Sequence, residues 1–273
     1  MTIDETWKER RERKREDARR EEQFSKVRNA ERSFGAALRG YARQITHIIG
    51  YHATTGETPI VPPEKMPELS EALRRYSAGT IPWARATVGR MISEVNRRSL
   101  TAWRTLSGQM SVALRKELNS APIGEAVAGL LTEQVELITS LPIEAARRVQ
   151  EQTQEALLVG SRYPERVAEI EQALAEAHPT ATGIWLAKRA DLIAVTETAR
   201  SASVLVQARA THIGADKYIW KAVMDWKTRP THRELNGSVQ EWSNPPLSDL
   251  PDYHSHPGQI FRCRCVALPI IPG

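Results

Sequence analysis

The chain has 273 residues, enough for one or two domains, with a net charge of +5 and 41% hydrophobic residues. No run approaches the roughly 20 apolar residues of a membrane helix, and the densely charged stretch Met1 to Arg20 lacks the apolar core of a secretory signal, so cytoplasmic synthesis and no membrane partner are expected. The two cysteines, both in Cys263-Arg264-Cys265, make no disulfide framework.

Trp7 to Arg32 holds eleven Lys or Arg and seven Asp or Glu, with no Pro or Gly. Mixed charge at helical spacing reads as an exposed helix with i,i+4 pairs, either simply solvated or docked on a partner or nucleic acid. An apolar seam follows at Phe24, Val27, Phe34, Leu38, Tyr41, Ile45 and Ile48, with heptad-like steps after Phe34. Gly50 and Thr54-Thr55-Gly56 are expected to close this helix. Its first half is polar all round and gains little from folding on its own domain. Residues 1 to about 23 are therefore expected to be mobile in the free protein and to order against a partner.

Prolines at 59, 62, 63 and 67 make a connector that is not helical throughout. A short helix over Glu68 to Tyr76 and a longer one over Ile81 to Leu118 are expected next. Val88, Ile92, Val95, Trp103, Leu106 and Met110 form one stripe of the longer helix. Arg85, Arg90, Arg97, Arg98, Arg104 and Arg115 form its polar face, which is either solvated or aimed at phosphate or an acidic partner. Pro122, Pro142 and Pro164 are expected at helix starts, with Ser140 and Ser161 as caps. The stripes Val127/Leu130/Leu131/Val135/Ile138 and Val167/Ile170/Leu174 should face a core. His178-Pro179 should stop a helix, and Thr182 should cap the next, from Ile184 to about Ile213, ended by Gly214.

After Gly214 the pattern turns to β. Tyr218 to Met224, Val239 to Trp242 and Ile260 to Ile271 are strand candidates, separated by loops at Pro245, Pro246, Pro251 and Pro257. The fold class expected is α+β, mainly helical, with extended N-terminal helices and a small irregular C-terminal β-region. The organisation expected is a charged arm over 1–57, a Pro-rich connector with arginine-bearing helices over 58–118, and a domain over 119–273, with helices in 120–214 and the β-region in 215–273.

The chemistry-bearing residues gather at the C-terminal end. His232, His254, His256, Cys263 and Cys265 are zinc ligands by type. Residues two apart share a face in a strand, so each His-x-His or Cys-x-Cys pair could offer two ligands on one side. The alternative is that they pack in a loop-rich core, where free Cys behaves as a small hydrophobe. Asp225, His232 and Glu234 are acids or bases by type, but no nucleophile motif, phosphate loop or His-Glu-x-x-His accompanies them, so no catalytic residue is assigned. Thr231 should cap a helical turn over His232 to Leu235, and Asn236-Gly237 should supply the left-handed residues that end it.

A helix with Thr196-Glu197-Thr198, a Trp-containing strand, Asp225 with Thr228-Arg229, His232, Leu235 and Gly237, then His256-Pro257 and Cys263-Arg264-Cys265 come in this order. The set resembles the phage head morphogenesis family, the Mu F-like minor capsid proteins, over roughly residues 125–273. Two departures stand out: Val195 where the family often has Arg, and Gly258 to Arg262 inserted between His-Pro and the first Cys. The resemblance implies a minor structural protein of the virion, made in the host cytoplasm and placed in the capsid interior or at the portal vertex. Its implied partners are the portal and other head proteins, with packaged double-stranded DNA as a further one, and its implied roles are head assembly and genome delivery. The competing readings are a DNA-binding module, from the net charge and arginine faces, and a zinc-dependent hydrolase or nuclease.

Overall fold

The computed structural model describes residues 11, 15, 27–56, 59–106, 110–162, 166–249 and 251–272. The expectation of a mobile arm over residues 1 to about 23, and the seam position Phe24, lie outside them, as does Pro164. The fold is α+β and mainly helical, with a small irregular β-region at the C-terminal end. Its contacts gather into two units. One takes the N-terminal residues through Arg32 with Arg90–Leu130 and Val195–Gly273; the other takes Ser33–Gly89 and Leu131–Ala194.

Helix α1 spans Arg28–His52, and its part from Ser33 onward, in the second unit, buries Phe34, Leu38, Tyr41 and Ile45. The next buried position is Ile49, not the expected Ile48, because a straight helix of 3.6 residues per turn drifts from a heptad. The helix also passes through Gly50, which was expected to end it. A 3-10 turn at Pro63–Lys65 leads into α2, Met66–Gly79, where Ser77 donates to the Thr139 carbonyl at 2.6 Å. Arg39 and Asp191 pair at 2.6 Å, and Tyr41 stacks between Tyr76 and Trp83.

Helix α3, Ile81–Leu106, and α4, Val112–Ser120, stand where one helix to Leu118 was expected. Ser111 is extended and accepts the Leu114 N–H at 3.2 Å, a side-chain cap that starts α4 as a separate element. Val88, Ile92, Val95, Trp103, Leu106 and Met110 are all buried, as their spacing implies.

Helix α5 runs unbroken over Gly124–Arg162 with Pro142 inside it, where a helix start was expected. An internal proline costs a helix about 3 kcal/mol. Ile138, Leu141, Ala145 and Val149 are fully buried around it, and such packing outweighs local propensity. Ser140 caps nothing; its hydroxyl lies 3.0 Å from the Leu137 carbonyl and 2.7 Å from the Glu144 carboxylate. Ser161 likewise sits within the helix and bonds the Leu158 carbonyl.

Helix α6, Val167–Ala177, is mostly exposed. Val167 is 59% accessible and only Ala177 is buried, so the expected Val167/Ile170/Leu174 core stripe is not realised. Helix α7 spans Pro179–His212 and starts before the expected Ile184. Proline fits its first turn, and His178 caps it by accepting the Thr180 N–H on Nδ1 at 3.0 Å. Thr182 is therefore an interior, fully buried residue and not the cap. Gly214 ends this stretch at φ +73°.

The first unit holds the β-region. Strand β1, Lys217–Lys221, is the centre of a three-stranded antiparallel sheet between β2, Val239–Glu241, and β5, Val266–Pro269. Trp220 lies opposite Ala267 and Tyr218 opposite Gln240 and Pro269. Helix α8, Pro230–Leu235, sits between β1 and β2 in the chain. A second antiparallel pair, β3 at Leu247–Asp249 with β4 at Tyr253–His254, occupies the stretch expected to be loop. Residues 260–265, expected to be strand, are turn and irregular backbone. One core binds the region: Trp103, Leu106, Met110 and Leu118 from α3 to α4, Val206 and Ala210 from α7, and Tyr218, Trp220, Trp242, Cys263, Cys265 and Leu268. Arg209 is buried in this unit, its guanidinium bonded to Ser99 Oγ at 3.0 Å and to the Asn96 side-chain oxygen. Burial lowers its pKa to about 10, so it stays charged at neutral pH.

Candidate functional site: a thiol and imidazole cluster under a carboxylate and guanidinium clasp

Strand β1 ends at Lys221, and the chain turns out to Met224, a non-glycine residue at φ +58°. Asp225 then organises the next turn. Its carboxylate accepts the Lys227 N–H at 3.0 Å and the Thr228 hydroxyl at 3.2 Å. Arg264 closes on it with two 2.6 Å bonds. This fork-to-fork geometry is the strong form of an ion pair. Arg233 donates to the carbonyls of Asp225 and Thr228, and Arg229 donates to the Phe261 carbonyl at 3.0 Å and pairs with Asp249 at 3.2 Å. Asp225 and Arg229 thus tie the turn to Arg264 and Phe261.

The Arg264 guanidinium holds the Asp225 carboxyl down at about 2, against a usual 3.8. The clasp therefore contributes stability in full above about 3.8 and loses it as pH falls through about 2. Asp225→Asn is expected to melt below wild type at neutral pH, with the gap closing as pH falls across that window. Both side chains are about a third or more exposed, so the gap is small and salt-sensitive. Parallel melts at neutral and acid pH check this; a gap independent of pH contradicts the ion-pair account.

Beneath the clasp, α8 turns His232 inward until it is 2% exposed. The turn is started by Arg229 in extended conformation, without a side-chain cap; Thr231 instead donates to the Ser248 carbonyl at 2.8 Å. Asn236 is extended at φ −62°, so only Gly237, at φ +85°, is left-handed. The Gly237 N–H returns to the Trp220 carbonyl at 2.8 Å, and Asn236 accepts the Ala222 N–H at 3.0 Å. Leu235 shares the inward side and packs on the core.

His232 Nδ1 lies 3.3 Å from Cys265 Sγ and 3.6 Å from Cys263 Sγ. Both thiols are free and buried. Cys263 Sγ also accepts the Gly258 N–H at 3.3 Å. Its hydrogen bonds, from Cys265 first and then His232, pull the Cys263 pKa down, while the neighbouring sulfur and burial push Cys265 up. Of the two thiols, Cys263 is the readier to ionise. His232 Nε2 is buried without a hydrogen-bond partner, and its ring meets Trp220 edge to face at 5.2 Å. Two sulfurs and an imidazole nitrogen, all within 4.8 Å of one another, are a set that could hold a metal.

The other two histidines stand apart from this cluster. His256 is buried, with Nδ1 2.9 Å from the Tyr218 hydroxyl and its ring against Trp242, and burial lowers its pKa. His254 is exposed, with Nδ1 2.9 Å from the Pro245 carbonyl and Nε2 3.3 Å from Asp252. Thr196 and Glu197 are buried on α7. Thr196 Oγ1 accepts the Arg262 N–H at 3.3 Å, so it meets the β-region directly, whereas Glu197 pairs with Arg200 one turn along its own helix. Sequence reasoning missed Gly258, whose close approach to Ala199 and Ser203 seats the residues inserted after His256-Pro257. Its one signal was the Pro-Gly dipeptide, a turn marker.

Residues 147–268 match the family model described as Phage Mu protein F like protein. An uncharacterized protein of Haemophilus influenzae (strain ATCC 51907 / DSM 11121 / KW20 / Rd) is 31% identical over 167 residues, which is 61% of this chain and 34% of that protein. The chain thus spans about a third of the length of this curated relative. No solved structure matches. The matched segment contains the Thr196-Glu197 pair, the Asp225 turn, His232 and both cysteines. Residues 147–268 of the chain are thus similar to the phage Mu protein F like family.

Proposed function

We propose that the protein is a minor structural component of the phage head, acting in head assembly through protein contacts at the portal vertex and, with the packaged DNA, in genome delivery. The observation that supports this most is the family match over the segment that carries every residue of the ordered motif set. The Asp225–Arg264 clasp and the buried cluster beneath it hold loops in place, which suits a structural part better than a catalytic one. Protein contact is favoured over DNA contact by charge. Arg97 and Arg98 on α3 are both paired with Glu94, at 2.6 and 2.9 Å, which neutralises part of the face that would meet phosphate. Among the described residues no helix is long and apolar enough to cross a membrane.

Mass spectrometry of purified particles tests the reading, with a chain lacking residues 1–23 as the second arm. Wild type is expected in heads and to co-purify with the portal protein. The truncated chain is expected to keep the melting temperature of wild type but to enter particles less. Absence of wild type from heads refutes the proposal. Wild-type incorporation of the truncated chain moves the docking surface off the arm. Duplex DNA titrated at several salt concentrations separates the two kinds of partner, because a DNA binder loses affinity steeply with salt.

A further inference from the structure

We propose that His232 Nδ1, Cys263 Sγ and Cys265 Sγ bind one zinc ion, which staples α8 to the segment entering β5. The spacing carries the argument. Zinc takes thiolate at about 2.3 Å and imidazole at about 2.0–2.1 Å, which in a tetrahedron places sulfur and nitrogen about 3.5 Å apart. The two observed separations are 3.3 and 3.6 Å. Both involve the same ring nitrogen, so Nδ1 faces the point between the sulfurs. The ligand atoms are buried, with His232 and Cys263 at 2% and Cys265 at 6% exposure.

The surrounding chain orients this set. Gly258 donates to Cys263 Sγ, as outer-sphere amides do to thiolates, and the Trp220 ring fixes the imidazole plane. Soft sulfur with imidazole selects zinc over the oxygen-preferring ions. Among the described residues no fourth His, Cys, Asp or Glu joins the group, so these three side chains hold the ion and leave one position of the tetrahedron to another donor. Binding forms two zinc–sulfur bonds and one zinc–nitrogen bond, and each thiol releases its proton to solvent, with no change of oxidation state. The ion links positions 31 and 33 residues apart in the chain. It does so just before β5, the strand that joins the C-terminal segment to the sheet.

Elemental analysis of the purified full chain is the first test, with about one zinc per chain expected, as a defined ligand set requires. A strong chelator should strip the ion and lower the melting temperature, and added zinc should restore it. Cobalt put in its place should show the thiolate-to-cobalt charge-transfer absorption, which reads sulfur ligation in wild type without any variant. Cys263→Ser, Cys265→Ser and His232→Gln should each lose the ion, while His254→Ala and His256→Gln should keep it. Wild type free of metal after growth with zinc, and melting alike with chelator and with added zinc, overturns the proposal and leaves the cluster as packed thiols. Zinc retained by either cysteine variant, or another metal filling the site in wild type, overturns the assignment as well.

Discussion

Trp220→Ala is expected to lower stability by about 3–5 kcal/mol, the usual cost of deleting a buried large aromatic. Trp220 is fully buried on the central strand of the sheet. Its backbone is bonded to the chain just before β2: the N–H donates to Ser238 and the carbonyl accepts from Gly237. Its ring stands against His232, between the sheet and α8. Truncation leaves a void that strand and helix cannot readily close, because the bonds from Trp220 and Ala222 to residues 236–238 fix the end of α8 against the strand. A loss of that size is a large share of the roughly 5–15 kcal/mol that holds a domain together. Trp220→Phe should cost clearly less, since a ring still fills most of the space. Urea unfolding of the three proteins checks this. A Trp220→Ala variant within about 1 kcal/mol of wild type, the ordinary size of a mutational effect, would mean that the ring does not hold the sheet against α8.

The helical part was legible wherever periodicity and packing agree. The stripe from Val88 to Met110 is buried at every position read from the sequence. The misses share one cause, which is local signals outweighed by neighbours the sequence does not name. Pro142 reads as a helix start, but Ile138, Leu141, Ala145 and Val149 are buried on one helix face, and their packing keeps the chain helical through it. Thr231 reads as a cap until Ser248 draws its hydroxyl away.

The ligand geometry shows the same limit in both directions. The period-two argument for His254 and His256 needs a strand across both, and β4 ends at His254, so one ring faces solvent and the other turns to Tyr218. Cys263 and Cys265 come together without a strand, through irregular backbone in which Arg262 has φ +53°. Nothing in residue types or spacing announces that turn. It is set by contacts 66 residues away in the chain, where Thr196 holds the Arg262 N–H.

Gly258→Ala is expected to cost about 2–4 kcal/mol, more than Gly237→Ala at about 1–2 kcal/mol, although both residues have positive φ. The shared part is the left-handed backbone, which crowds any Cβ against its own carbonyl. The positions differ in what lies beyond. A Cβ at Gly237 meets nothing within 4 Å, so backbone strain is the whole effect. A Cβ at Gly258 would stand 3.1 Å from the Ala199 carbonyl oxygen and 3.5 Å from Ser203 Cβ. That oxygen belongs to the backbone of α7 and cannot rotate away, so the loop must lift from the helix. Lifting it stretches two contacts at once, the Gly258 N–H to Cys263 Sγ and the Arg262 N–H to Thr196. Gly258→Ala should therefore also expose the cysteines, raising the rate at which a thiol reagent labels Cys263 and Cys265, whereas Gly237→Ala should leave that rate near wild type. Asparagine tolerates the left-handed region better than alanine, so Gly237→Asn should recover part of its loss and Gly258→Asn, with a larger side chain against α7, should not. Equal losses for the two alanine variants, with equal labelling, would show that the approach to Ala199 carries no energy and that the inserted residues 258–262 are seated by something other than helix α7.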